Sequence, residues 1–494
     1  MSLLTLQDPS LLRSANLIDG RWSESASGAA FDVSDPATGL AFARVPDSNA
    51  IDAAAAVDAA HQAFAAWRAR SARDRAQLLK RWHALILAHQ DDLGRLVSRE
   101  QGKPLAEGRG EIAYAASYVE WFAEEATRTY GDLIPEPVRG RKMLVLKEPV
   151  GVVAAITPWN FPAAMIARKI APALAAGCTV VAKPAEDTPL TSLALAALAE
   201  QAGIPAGVVN VVTASRERTP EVVDVWLADD RVRKITFTGS TPIGKHLARE
   251  SAATLKKLSL ELGGNAPFIV FDDADLDAAV AGLMAAKFRN GGQTCVCPNR
   301  VYVQAGVHDR FVELLTRRVA ALCVGPASAS ESQVGPMING RAVDKIARHV
   351  DDAVEKGARV VLGGERLTGG AWASPNYFAP TVLTGVTADM ACAREETFGP
   401  VVPISSFTDE AQVLTLANGT PFGLAAYFYT RDIARAWRVA EALQSGIVGI
   451  NEGALAAEAA PFGGVKESGY GREGSRYGLD DYMQTKYVCQ GGLG

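Results

Sequence analysis

Between residues 51 and 130 apolar positions recur every three to four residues on an Ala-rich background. That is the period of a helix with one buried face. The stretch "AIDAAAAVDAAHQAFAAWRARSARDRAQLLKRWHALILAHQDDLGRLVSREQ" predicts long amphipathic helices, and "EIAYAASYVEWFAEEATRTYG" continues them. "KMLVLKEPVG" reads as a strand and a turn. From residue 150 the texture changes. Short apolar runs ("VGVVAAITP", "CTVVAKP", "GVVNVVT", "VRKITFTGS", "KKLSLELGG") alternate with helical segments such as "AAMIARKIAPALAAG" and "LTSLALAALAEQAG". Buried strands alternating with crossover helices predict a parallel α/β sheet. "NAPFIVFDDADLDAAVAGLMAAKFRNGGQTC" opens a second α/β unit that runs through "ARVVLGGE" to "ESGYGREGS", so a boundary is expected near 262. The tail "YMQTKYVCQ" alternates like an edge strand. With 131–150 it reads as an oligomer contact, the alternative being a strand within the same chain.

Composition sharpens the class. The 494 residues are 48% hydrophobic and 21% charged, which suits several globular domains with large cores. A net charge of -5 lacks the concentrated basic face that nucleic acid requires, so no nucleic-acid partner is expected. No apolar run is long enough for a membrane span, and the N-terminus lacks a secretory pattern. The six cysteines are scattered and form no disulfide framework. A cytoplasmic location is the expectation.

One cysteine loop stands apart. "GGQTCVCPN" places Cys295 and Cys297 behind Gly291 and Gly292, which let the backbone approach a ligand closely. A thiol in such a loop is a nucleophile candidate. Zinc would need about four ligands in recognisable spacing, and no second cysteine pair exists, so no metal is expected. Cys178, inside an apolar run, reads as an ordinary buried thiol. Cys297 is a candidate redox partner for Cys295: a disulfide across two residues would be strained and easily reduced. The alternative is a packed bystander.

Further motifs lie at strand ends. "FTGSTPIGKH" has phosphate-loop spacing, but His246 stands where a magnesium-binding hydroxyl belongs. A glycine turn between strand and helix still suits a pyrophosphate, which favours a dinucleotide over ATP. "VVAKPAED" brings Lys183 and Glu186 to the C-terminal end of a strand, where such sheets bind ligands. A carboxylate there can take ribose hydroxyls, so Glu186 argues for NAD over NADP. In "ITPWNFPAA", Asn160 is held between Pro158 and Pro162 and could donate to an oxyanion; an ordinary turn Asn is the alternative. In "SLELGGN", Glu261 sits among leucines. It is either a satisfied buried carboxylate or a general base with a raised pKa.

Together "PWNFP", "KPAEDTP", "FTGST", "LELGGN", "GGQTC", "EETFGP" and "PFGGVKESGYGREGS", in this order, resemble the aldehyde dehydrogenase superfamily. "KFRNGGQTCVCPNR", "EQGKPLAEGRGEIAYAASYVEWFAEE" and "YGLDDYMQTKYVC" are closest to its NAD(P)-dependent succinate-semialdehyde branch. The resemblance implies an α/β fold in three parts. A Rossmann-type parallel-sheet domain for NAD spans 1–130 and 151–261. An α/β catalytic domain spans 262–476. A small β oligomerisation arm spans 131–150 and 477–494, and the assembly is a homodimer or homotetramer. It implies Cys295 as nucleophile, Glu261 as general base and Asn160 as oxyanion donor. Trp159, Lys183, Glu186, Gly239, Ser240, Leu262, Glu396 and Phe398 match cofactor positions.

Arg168 and Arg289 match the positions that hold a substrate carboxylate in this branch, and an Arg can grip a carboxylate with two bonds. Either could instead pair with a protein carboxylate. The loop "NEGALAAEAAPFGG" has Ala456 and Ala457 where the family commonly carries serine, so one polar contact is missing. The expected activity is oxidation of a small carboxylated aldehyde, succinate semialdehyde first, with NAD. Glutarate semialdehyde or a broader range is the alternative.

Overall fold

The computed structural model describes residues 5–370 and 372–493. Its first sheet has five parallel strands at its centre: Val152–Ile156, Thr179–Lys183, Val209–Val211, Val232–Thr238 and Lys257–Glu261. Counted along the chain, they lie side by side as third, second, first, fourth and fifth. The order reverses between the first strand and the fourth, the switch point where open α/β sheets leave a crevice beyond their strand ends. Ile156 pairs with both Phe237 and Lys183, and Thr238 pairs with Glu261. The C-terminal edge of the sheet thus carries Lys183, the 157–160 turn, Gly239 and Glu261 in a row.

The helices follow the sequence pattern. Asn49 and Asp52 form a capping box at the start of the Ala50–Arg68 helix. The Pro162–Ala176 helix is apolar on every side because every one of its residues is buried. That burial includes Arg168 and Lys169 and obliges both to find a partner.

The fifth parallel strand ends at Glu261, and five residues later Ala266 begins the second sheet. This is a seven-stranded sheet, parallel except for the pairing of Arg359–Leu362 with Thr381–Thr384. The expected boundary near 262 coincides with this crossing. The segment 467–475, expected in the second unit, partly returns to the first. Gly469–Tyr470 pairs antiparallel with Leu260 and Glu261, because Leu262 N–H donates to Ser468 O and the Ser468 hydroxyl donates to Gly263 O. Met483–Gln490 pairs along its whole length with Lys142–Pro149, and Asp132–Ile134 adds a third strand. The tail is therefore tied into its own chain, in an exposed sheet whose edge strands are Met483–Gln490 and Asp132–Ile134. Two short N-terminal hairpins, 16–23 and 30–46, went unread because their strands are three to six residues long.

Candidate active site

The Leu276–Phe288 helix delivers the chain to the cysteine loop. Asn290, Gly291 and Gly292 then take φ of 52°, 62° and 79°. Three successive left-handed residues are costly for ordinary side chains, which accounts for one Asn followed by two glycines. Gln293 fastens the turn: its side-chain N–H donates to Asn290 O (3.1 Å), and its Oε1 accepts from Ile338 N–H (3.0 Å). Cys295 follows, half-buried. Its carbonyl oxygen lies against Gly264, where a Cβ would come within 2.2 Å. The glycines of "LELGG" thus let the nucleophile loop rest on the segment that carries Glu261.

Asn160 reaches the same loop from the switch point. One N–H of its amide donates to Gln293 O (3.0 Å), which leaves the second for a substrate oxygen. Its backbone carbonyl accepts from Lys103 Nζ (2.8 Å) and Asn290 Nδ2 (2.9 Å). Lys103 is fully buried and held by Glu111 (2.5 Å), whose other oxygen accepts from the N–H groups of Ala163 and Ala164. Glu107 accepts from Asn290 N–H (2.9 Å). One helix, Leu105–Glu125, and the lysine before it brace both Asn160 and the 290–293 turn. Sequence reasoning missed these braces. Part of the signal was present in the four-residue spacing of Glu107 and Glu111, which sets both on one helix face, whereas Lys103 lies before that helix.

Glu261 is 2% exposed, and neither carboxylate oxygen has a hydrogen-bond partner. Burial first, and the nearby Glu473 carboxylate second, push its pKa well above the ordinary range. Arg168 and Lys169 oppose that rise. A carboxylate so placed binds a proton more tightly than an exposed one, which suits a general base. Burial pushes the Cys295 thiol up to about 12, with the Glu396 carboxylate adding to the rise. That burial favours the neutral thiol over the thiolate.

A cavity of about 410 Å³ opens along the C-terminal edge of the first sheet and reaches Cys295. Trp159, Glu186, Gly239, Ser240, Leu262, Glu396 and Phe398 line it. These groups fit a dinucleotide. Ser240 starts the Thr241–Ser251 helix without capping it through its side chain, so the first N–H groups face outward for a pyrophosphate. Lys183 lies behind, its Nζ 3.9 Å from Glu186. Glu396 accepts from Gly264 N–H (3.0 Å), and burial raises its pKa to about 7. The Phe398 ring meets Trp159 edge-on, with centroids 5.5 Å apart. Arg216, Arg341 and Lys345 also face the cavity, and no motif pointed to them.

The two arginines assigned to the substrate part company. Arg168 is 1% exposed, and its Nη2 lies 2.8 Å from Glu473, a contact whose alignment falls short of a hydrogen bond. Lys169 Nζ binds the other oxygen of Glu473 and Thr238 Oγ1 (2.6 Å). Burial in an apolar helix commits Arg168 to a protein carboxylate, the alternative noted above. Arg289 is exposed, its guanidinium facing the rings of Phe161 (4.8 Å) and Tyr114 (5.8 Å), with no ion pair among the described residues. Cys297 is fully buried, its thiol donating to Lys287 O at 3.7 Å. Among the described residues no three His, Cys, Asp or Glu side chains are grouped to hold a metal.

Comparison with known proteins agrees with this geometry. The 3-sulfolactaldehyde dehydrogenase of Pseudomonas putida is 56% identical over 99% of this chain and 100% of its own. The NADP(+) succinate-semialdehyde dehydrogenase of Escherichia coli is 55% identical over 99% of this chain and 100% of its own. A crystal structure of an E. coli NADP-dependent enzyme superimposes with a TM-score of 0.96 at 55% identity, covering 99% of this chain and 100% of that one. The aldehyde dehydrogenase family model matches residues 22–488, and the chain belongs to that family.

Proposed function

We propose that the protein oxidises a small aldehyde with an anionic tail to the corresponding acid, succinate semialdehyde being the first candidate and NAD the preferred acceptor. The observation that carries the substrate class is Arg289. It is an exposed cation with no ion pair among the described residues, next to Asn290 of the nucleophile turn and stacked on Phe161, the neighbour of Asn160. Such a group can bind a substrate carboxylate with two bonds.

The chain's own groups divide the work. Cys295 Sγ gives its proton to solvent water and bonds to the aldehyde carbon. The resulting oxyanion takes hydrogen bonds from the free N–H of Asn160 and from the Cys295 backbone N–H. A nicotinamide dinucleotide, which Glu186, Ser240, Glu396 and Phe398 would hold, would supply the hydride acceptor, and Cys295 would be left carrying the acyl group. Glu261 then takes a proton from water, which attacks the thioester and frees the acid and the thiol.

Glu186, only 27% exposed at the cavity wall, supports NAD, since its charge would repel a 2′-phosphate. Exposed apolar residues on the three-stranded sheet, such as Leu133 and Tyr487, support a homo-oligomer built through that arm. No helix among the described residues is long and apolar enough to cross a membrane. Six free thiols support a reducing, cytoplasmic setting.

One observation favours a second substrate. Ala456 and Ala457 remove hydroxyls from the loop before Phe462, and a sulfonate, with three acceptor oxygens on one charge, could be held by Arg289 alone. The relative named for 3-sulfolactaldehyde makes that aldehyde a rival. The test is a steady-state panel of succinate semialdehyde, glutarate semialdehyde, 3-sulfolactaldehyde and a neutral aldehyde, each with NAD and NADP. A neutral aldehyde that matches the anionic ones in kcat/KM would refute the anionic-tail reading.

A further inference from the structure

His349 is the one buried histidine among the described residues, and both of its ring nitrogens are engaged. It lies on the Gly340–Glu355 helix, one turn beyond Lys345, which faces the cofactor cavity. Nε2 is 3.1 Å from Glu395 Oε2, and Nδ1 is 3.1 Å from Thr397 Oγ1. A carboxylate can only accept, so Nε2 carries the hydrogen, and Nδ1 accepts from the Thr397 hydroxyl. The ring is neutral in this arrangement. Burial lowers its pKa, Lys345 and Arg348 reinforce that, and Glu395 opposes it.

The two residues His349 holds flank Glu396. Glu395 has extended dihedrals (φ -105°, ψ 148°), and along extended chain successive side chains point to opposite sides. With the 395 and 397 side chains drawn to the histidine, the Glu396 side chain faces the other way and accepts from Gly264 N–H; Glu396 and Thr397 both contribute to the cavity wall. Phe398 follows with φ of 59°, a left-handed conformation that an aromatic residue keeps only when its surroundings impose it. Gly399 O then packs on Gly292, where a Cβ would come within 2.2 Å.

We propose that His349 is a positioning residue, a two-point clamp on 395–397 that presents Glu396 and Phe398 to the nicotinamide end of the cofactor. The inference rests on the proposed cofactor role of Glu396 and Phe398.

The experiment separates the cofactor half of the site from the acyl half. An activated ester such as p-nitrophenyl acetate acylates Cys295, and water with Glu261 clears it, with no hydride transfer and no need of Glu396. His349→Leu and Thr397→Val each remove one side of the clamp, and His349→Gln keeps a donor for Glu395. Expected for the first two variants are about a tenfold rise in the NADH dissociation constant, read by fluorescence, and about a tenfold fall in dehydrogenase kcat/KM for NAD. Ester hydrolysis should stay within about twofold, and His349→Gln should recover part of the loss. Faster amide hydrogen exchange at 395–398 in the free protein is expected as well. Parallel loss of both activities, or an unchanged NADH dissociation constant, would overturn the proposal. If His349→Leu fails to fold, Thr397→Val decides alone. Glu396→Ala separates the premises: if it leaves NADH binding and dehydrogenase kinetics untouched, the reading of Glu396 has failed. If it impairs them while the clamp variants do not, the clamp has failed.

Discussion

Arg168 gives its guanidinium to Glu473 across 2.8 Å, inside a site where both side chains are at most 3% exposed. The same carboxylate also holds Lys169. Its charge therefore balances two buried cations, and it contributes to the raised pKa of Glu261. Glu473→Gln should destabilise the fold by about 3–5 kcal/mol, the usual effect of stranding a buried charge. Denaturant unfolding would measure it. With the negative neighbour gone and both cations left, Glu261 should ionise at lower pH. The acid limb of kcat/KM should therefore move down in pH, and a limb that stays in place would show that Glu473 does not act on the base.

Arg289 has no such duty. Arg289→Ala should cut kcat/KM for succinate semialdehyde by about 10- to 100-fold, the worth of a charged hydrogen bond of about 1.5–3 kcal/mol. A neutral aldehyde of similar length should change by less than about threefold. Arg168→Ala, which unbalances Glu473, should impair both aldehydes alike. Equal losses in Arg289→Ala would remove the arginine from the substrate site.

The contrast between these arginines marks what the sequence could and could not convey. Both stand in motifs, and both read as carboxylate holders. Their difference comes from Glu473, about 300 residues further along the chain, whose position only the returning 469–470 strand establishes. The alternation of strands and helices was legible because each buried strand is a continuous apolar run. Cys295, Glu261, Asn160 and the glycine turns were legible because their chemistry sits in contiguous motifs. Lys103 and His349 were not, since each acts through a residue distant in sequence. The short hairpins of 16–46 were too brief to show a period.

The thiol of Cys295 should gain reactivity with pH throughout the alkaline range. Its pKa of about 12 reflects burial first and the Glu396 and Glu261 charges after it. Below that value the thiolate fraction rises about tenfold per pH unit. Alkylation of the free protein by iodoacetamide should climb from pH 7 to 10 without a plateau, and Glu396→Gln should speed it at any fixed pH. A plateau near pH 7 would mean that the free thiol is already activated.

Cofactor choice turns on charge at the outer end of the cavity. Glu186 and Asp187 face it together with Arg216 and Arg341. Glu186→Ser removes the repulsion of a 2′-phosphate and should raise kcat/KM for NADP relative to NAD by about tenfold, equivalent to about 1.4 kcal/mol. Burial, with Glu186 adding to it, pushes the Asp187 carboxyl up to about 6. Below that pH Asp187 is neutral and the two arginines face one fewer negative charge. The NADP-to-NAD ratio of kcat/KM should therefore rise as pH falls through 6. A ratio that is flat with pH and unmoved by Glu186→Ser would assign the preference elsewhere.

Cys297 offers a redox prediction that depends on the different surroundings of the two thiols. Cys295 is partly open to the cavity, while Cys297 is fully buried, its pKa raised by burial and its Sγ directed to Lys287 O. Peroxide should oxidise Cys295 first, to a sulfenic acid. Attack of the Cys297 thiol on that sulfur would then expel water and close a disulfide, at the cost of its contact with Lys287 O. Dithiothreitol should restore activity to the oxidised parent. In Cys297→Ala the sulfenic acid has no partner at this position and passes to forms that thiols do not reduce, so recovery should fall as peroxide exposure lengthens. Because burial keeps Cys297 protonated, closure should be slow at pH 7 and faster at pH 9, where its thiolate is more populated. Recovery in Cys297→Ala equal to that of the parent at both pH values would leave this thiol a packing residue.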